Sequence, residues 1–261
     1  MLVASCPRPA GPEGLLLSER SGGRRGRRRV PLRCGTVDGM RVAAESAPDE
    51  PGPSASVAAA HGSTRAVVLA LHGGQETSRQ AASPTGPSAL RILPFAWDLS
   101  RRLRGRGVAV WRLHYRYRGW NGSDASPVTD TRWALDEVRR RYGQVPVLLL
   151  GHSMGGRVAV NVADDPSVCE LVLLAPWLPA GEPIAAVAGR RLLILHGDRD
   201  RTTSLAASQA WAARAQTTAS AVAIRRIQGG EHTMLRHART WHRLTVQAVV
   251  GGLRELEPPP N

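Results

Sequence analysis

A serine between glycines, two aspartates after one apolar run and a histidine after another are the residues best placed to do chemistry. The serine is Ser153, in Gly151-His152-Ser153-Met154-Gly155. A serine hydroxyl becomes an effective nucleophile only when a base takes its proton and a third group fixes the tautomer of that base. Asp198 and Asp200 in His196-Gly197-Asp198-Arg199-Asp200 could supply the third group, and His232 in Gly229-Gly230-Glu231-His232 the base. Acyl chemistry also needs two N–H donors aimed at the developing oxyanion. Met154, just after the serine, would give one. The His72-Gly73-Gly74 turn would give the other, from Gly74, with Gln75 the alternative.

These residues need elements that bring them together. Val147 to Leu150 is an uninterrupted apolar run, the signature of a strand buried on both faces, and it leads directly into the serine turn. Val158, Ala159, Val160 and Val162 begin a short helix beyond it. A G-x-S-x-G between a buried strand and a helix reads as a nucleophile elbow, where a side chain on either glycine would collide with strand or helix. Further strands are expected at Val67–Leu71, Val108–Leu113, Leu171–Ala175, Leu192–His196 and Ala221–Ile227. Helices are expected at about Ala89–Arg104, Val128–Tyr142 and Leu205–Ala215, with a last one opened by His232 and running to about Leu253. Pro94 should sit early in the first helix or kink it. Strands alternating with helices require right-handed crossovers and a mostly parallel sheet with helices on both faces. In such a sheet the working residues come from loops at the carboxyl ends of strands, where all of these candidates lie.

Four segments, Leu71-His-Gly-Gly74, Gly151-His-Ser-Met-Gly155, His196-Gly-Asp-Arg-Asp200 and Gly229-Gly-Glu-His232, stand in this order across residues 66–253. Together they resemble the α/β-hydrolase superfamily, in which the triad runs serine, acid, histidine along the chain. The resemblance implies an α/β-hydrolase fold in which the six strands above are the third to eighth. It implies Ser153 as nucleophile, Asp200 as acid, His232 as general base, and Gly74 and Met154 as oxyanion donors. Asp198 is the rival acid, but in similar members the functional aspartate follows the strand-end glycine by three positions. Two departures stand out. The first two strands of the family, an antiparallel hairpin, have only faint candidates in residues 36–64. The 15 residues from Pro176 to Arg190 leave room for one short helix where the family often inserts a cap. The expected site is therefore open, roofed at most by the 75–88 and 114–127 loops, and suited to soluble or flexible substrates.

The expected organisation is a basic N-terminal extension over residues 1–40, a linker or reduced edge hairpin over 41–64, a catalytic domain over 65–254 and a tail over 255–261. Residues 1–40 hold 8 arginines against 3 acidic residues, and Met40 is a second candidate start. All 35 basic residues of the chain are arginine, and the formal charge is +14. So complete a bias points to coding-DNA composition, and a solvated basic surface is the simpler reading against nucleic-acid binding. No specific nucleic-acid partner is expected, and no apolar run reaches the ~18–20 residues of a membrane span. Cys6, Cys34 and Cys169 are too few and too scattered for a disulfide framework or a metal site, which fits a cytoplasmic setting.

The expected activity is hydrolysis of an ester or similar acyl bond of a small molecule, with no cofactor or metal required. An amidase, peptidase, thioesterase or acyltransferase would use the same triad. From another class, a basic non-catalytic binding module could keep the same fold. Among the remaining residues, His72 and His196 read as structural and His152 as a shaper of the elbow. Asp198 reads as a turn acceptor. His237 and His242 fall on the last helix. Gln75, Trp120 and Trp177 are the candidates for lining the substrate pocket, whereas Arg116 and Arg118 read as solvated loop residues.

Overall fold

The computed structural model describes residues 40–45 and 51–256. The expected extension before Met40, the stretch 46–50 and the end of the tail lie outside the described residues, and Cys6 and Cys34 with them. Eight strands form one sheet: β1 (Met40–Ala43), β2 (Ser54–Ala58), β3 (Ala66–Leu71), β4 (Val108–His114), β5 (Val147–His152), β6 (Val168–Leu174), β7 (Arg191–Gly197) and β8 (Ala221–Ile227). Their spatial order is β1-β2-β4-β3-β5-β6-β7-β8. β1 pairs antiparallel with β2, and β2 antiparallel with β4; every other pair is parallel. The edge hairpin that the sequence barely indicates is therefore present. It is short, rich in alanine and serine, and held by ladder bonds more than by a strong apolar pattern.

Five helices connect these strands: α1 (Pro87–Arg102), α2 (Ser126–Tyr142), α3 (Met154–Asn161), α4 (Leu205–Ala215) and α5 (Ala238–Glu255). Side chains alternate along a strand, so a doubly buried sheet feeds two cores. Val67, Leu69 and Leu71 of β3 point to one core with Leu135, Val158 and Trp211 from α2, α3 and α4. Ala66, Val68 and Ala70 point to the other, with Ile92 and Leu99 of α1 and Trp241 and Val249 of α5. Each fully buried Leu or Val in this arrangement contributes about 1.5–3 kcal/mol relative to an exposed one.

Gly86 caps α1 and Pro87 opens it, a position where the missing N–H costs nothing. Pro94 lies well inside the helix and leaves the Leu90 carbonyl without its intrahelical donor. The last helix starts later than the sequence suggests. His232 lies in a loop, because Met234 (φ 58°) and His237 (φ 59°) adopt left-handed conformations that interrupt any helix before Ala238. Between β6 and β7 there is only a single short 3-10 turn, Ala185–Val187, so no cap covers the carboxyl end of the sheet. Among the described residues no helix is long and apolar enough to cross a membrane.

One buried charge lies far from this end. Glu170 of β6 is buried, and burial pushes its carboxyl up to about 7 despite the nearby Arg191 guanidinium. A Cβ on Gly252 of α5 would strike that carboxyl, so the helix approaches it closely. The protonated form fits the folded state better than the ionised one. Stability from this group is therefore lost as pH rises from the unfolded value near 4.5 to about 7, and levels off above that. Glu170→Gln is expected to unfold at a higher temperature than the wild type at pH 8 and at nearly the same temperature at pH 5. An advantage that does not grow with pH in paired thermal melts would contradict this.

Candidate active site

The chain leaves β3 for β4 on one side, and β5 lies on the other. The carboxyl ends of β3 and β5 thus flank a topological switch point, the usual crevice for a ligand in an open α/β sheet. Leu71 is in register with Gly151, so the His72–Gln75 turn and the Ser153 turn start side by side. Ser153 has φ 54° and ψ −118°, a strained conformation for a residue with a side chain. It is held by its N–H to the Leu174 carbonyl (3.0 Å) and by the Trp177 N–H to its own carbonyl (3.0 Å). A Cβ on Gly151 would lie 2.4 Å from the Gly155 oxygen, and one on Gly155 would lie 2.2 Å from the Leu71 oxygen. Both glycines are thus required by close backbone approach.

The turn after β3 lies directly against the start of α3. A Cβ on Gly74 would come within 2.4 Å of the Met154 methyl. The Gln75 N–H is donated to the Arg118 carbonyl (2.8 Å), whereas the Gly74 N–H has no acceptor among the described residues. Of the two sequence candidates, Gly74 is the one whose donor is uncommitted. The Met154 N–H opens the first turn of α3, where helical N–H groups lack partners.

The loops after β7 and β8 are tied together: a Cβ on Gly197 would meet the Gly230 oxygen at 2.3 Å, and Arg199 N–H donates to the Gly230 carbonyl (2.9 Å). Here His232 Nδ1 donates to Asp200 Oδ2 at 2.8 Å. The Asp200 side chain is 0% exposed and that of His232 13%. Burial would raise the Asp200 carboxyl, but its donors outweigh it: His196, His232, Thr203 and Thr202 hold it well below the usual carboxylate range. The Thr202 and Thr203 N–H groups reach Oδ1 at 2.7 and 2.9 Å, and Thr203 Oγ1 reaches Oδ2 at 2.8 Å. Asp198 instead accepts the Gly229 N–H at 2.6 Å, which makes it a turn acceptor.

His152 and His196 do more than the sequence indicates. His152 Nε2 donates to the His232 carbonyl (3.1 Å), and the two rings lie 4.9 Å apart. This brings the His232 loop against the residue next to Ser153. Burial, then the His232 charge, lowers the His152 pKa to about 3, so His152 stays neutral. His196 Nε2 lies 3.4 Å from Asp200 Oδ2, while its Nδ1 meets Ser208 Oγ at 3.0 Å. Thr203 is the residue that sequence reasoning missed; a threonine three positions after an aspartate in a turn is a weak signal. His72 donates Nδ1–H to the Gly73 carbonyl (2.6 Å) and lies buried, its pKa lowered to about 4 mainly by burial. It braces the turn.

The roofing loops join each other through bridges at Gln75–Gly119 and Ala81–Tyr117. Gln75 is exposed at the rim. Trp120 and Trp177 meet edge to face at 6.3 Å, and the Arg157 guanidinium lies 3.9 Å from the first ring and 4.6 Å from the second. Arg157 Nε is in turn paired with Glu182 (2.7 Å). Both tryptophans thus form one wall that the sequence could not assemble, since Arg157 and Glu182 carry no motif. Arg116 pairs with the fully buried Asp130 (2.6 Å), and Arg118 bonds Gln80 (2.9 Å). Both arginines hold loops together. Among the described residues there is no group of three or more His, Cys, Asp or Glu side chains that could hold a metal ion.

The family described as serine aminopeptidase, S33, matches residues 62–191, a span that includes the Gly74 turn and the Ser153 elbow but ends before Asp200. The fold matches an α/β serine hydrolase without lid from Xanthomonas campestris (TM-score 0.60, 17% identity, 87% of this chain and 99% of that one). It also matches an α/β serine hydrolase homologue from Coxiella burnetii (TM-score 0.59, 16% identity, 83% and 99%). This chain has the α/β-hydrolase fold. Among curated proteins, protein phosphatase methylesterase 1 of Rattus norvegicus is 36% identical over 105 residues, 39% of this chain and 24% of that protein. The chain thus aligns with about a quarter of the length of the curated relatives that it matches.

The Ser153 backbone strain has a measurable consequence. Ser153→Gly should be more stable than Ser153→Ala, by a net amount on the order of 1 kcal/mol, because glycine adopts a positive φ without a Cβ penalty. Denaturant titrations of the two variants check this. Equal midpoints would mean that the turn is not strained.

Proposed function

We propose that this α/β-hydrolase cleaves a carboxylic ester, or a similar acyl bond, of a small molecule through Ser153, His232 and Asp200. The observation that carries the reading is the 2.8 Å bond from His232 Nδ1 to a fully buried, ionised Asp200. That bond fixes the proton on Nδ1 and leaves the lone pair on Nε2, the atom that takes the Ser153 proton. Ser153 Oγ then attacks the acyl carbonyl, and the Gly74 and Met154 N–H groups receive the oxyanion. The His232 imidazolium, stabilised by Asp200, passes its proton to the leaving alcohol. Water, deprotonated by the same nitrogen, then attacks the acyl-enzyme and releases the acid.

Ser153 is 8% exposed beneath an uncapped sheet end, which supports access by a flexible ester. The partial likeness to a methylesterase supports an ester. The serine aminopeptidase family match gives the second reading, an aminoacyl amide or peptide as substrate, through the same acyl-enzyme.

Ser153→Ala is expected to abolish both p-nitrophenyl-ester turnover and covalent labelling by a fluorophosphonate, while circular dichroism stays unchanged. Normal labelling of this variant would exclude Ser153 as the nucleophile. Asp200→Asn should keep the fold and lower turnover by about four orders of magnitude, the cost of the wrong histidine tautomer. Turnover of an aminoacyl p-nitroanilide well above that of matched esters would favour the peptidase reading.

A further inference from the structure

The face of the sheet covered by α1 carries a groove of about 290 Å³ that none of the candidate catalytic residues line. Leu93 and Ala96 of α1 and Val110 of β4 form its walls, Trp97 stands at its rim, and Ser56 and Arg112 lie at its polar end. Trp97 is one of few large apolar side chains left exposed, at 39%. Its ring is stacked by the Arg101 guanidinium at 4.7 Å, which adds a second cation at the rim.

Arg112 is the cation of this groove. Several partly buried arginines elsewhere are matched by a carboxylate: Arg116 by Asp130, Arg157 by Glu182, Arg139 by Asp165 and Asp136. Arg112 is also partly buried, yet among the described residues its guanidinium has no carboxylate and no hydrogen-bond acceptor. The titratable groups that it faces, His72 and His114, are both pushed away from the charged form, first by burial and then in part by Arg112 itself. Arg41 adds further positive charge around His114. Ser56 Oγ, beside Arg112 in the groove, is 2.8 Å from His114 Nε2. A guanidinium withdrawn from water without an anion is costly, and a carboxylate matches its fork with two parallel bonds. Apart from Ser100, the rest of the groove is apolar, which disfavours a small, strongly hydrated anion.

We propose that this groove binds an amphipathic carboxylate, its head on Arg112 and its apolar tail along α1 beneath Trp97. Free carboxylic acids of short to medium chain length fit both the charge and the volume. The site is separate from the Ser153 elbow and does not depend on the hydrolase reading.

Isothermal titration of the full chain with sodium octanoate tests the proposal, with octylammonium chloride and sodium acetate as controls. Octanoate should bind saturably, and the sign-reversed and tail-less controls at least tenfold more weakly. Arg112→Gln should weaken octanoate binding at least tenfold. Ser100→Phe, which fills the groove from exposed α1 and leaves Arg112 in place, should do the same. It keeps the test intact if the first variant fails to fold in a thermal melt. No saturable binding by the wild type, or undiminished binding by a folded variant, would overturn the proposal.

Discussion

The site depends on how closely α3 approaches the end of β3. No side chain fits between them: a Cβ on Gly155 would sit 2.2 Å from the Leu71 oxygen. That contact leaves the chain too little room for an ordinary turn after β5, so Ser153 takes a positive φ. The same contact aims the first helical N–H groups at the crevice and sets Met154 against Gly74. The Ser153 backbone strain and the approach of Met154 to Gly74 therefore follow from one packing constraint. They do not require separate explanations, and a disturbance of the α3–β3 contact would change both together.

Electrostatics complete what packing begins. Two imidazoles, His152 and His232, lie 4.9 Å apart, and both cannot readily be charged at that separation. Burial settles the competition by keeping His152 neutral. Asp200 has the opposite task of staying ionised without water. Two N–H groups, a hydroxyl and two histidines surround it, enough to offset its desolvation. The anchor of Thr203 Oγ1 on the Ala175 carbonyl (3.2 Å) also ties this cluster to the end of β6. The acid is therefore positioned relative to the same strand end whose Leu174 carbonyl holds Ser153.

What could be read from the sequence was what obeys a local rule. Buried strands show as apolar runs, the Ser153 turn as glycines at fixed offsets, and the loops that bring Asp200 and His232 together as short polar stretches after strands. The start of α5 could not be read, because positive φ at Met234 and His237 is imposed by the loop's packing and neither residue type announces it. β1 and β2 were nearly invisible because they are held by ladder bonds, β2 to β4 across more than fifty residues of sequence and β1 to β2. Thr203, His152 and His196 were underrated for a related reason. Each acts through one long-range contact, and no spacing rule encodes it.

The arginines make the same point about surroundings. Arg157 stacks on the indoles of Trp120 and Trp177 with its charge answered by Glu182. A planar guanidinium can be stacked on two rings and paired at its edge, whereas a lysine ammonium could not fill that role. Arg112, without an answering anion, presents the opposite chemistry on another face of the same sheet.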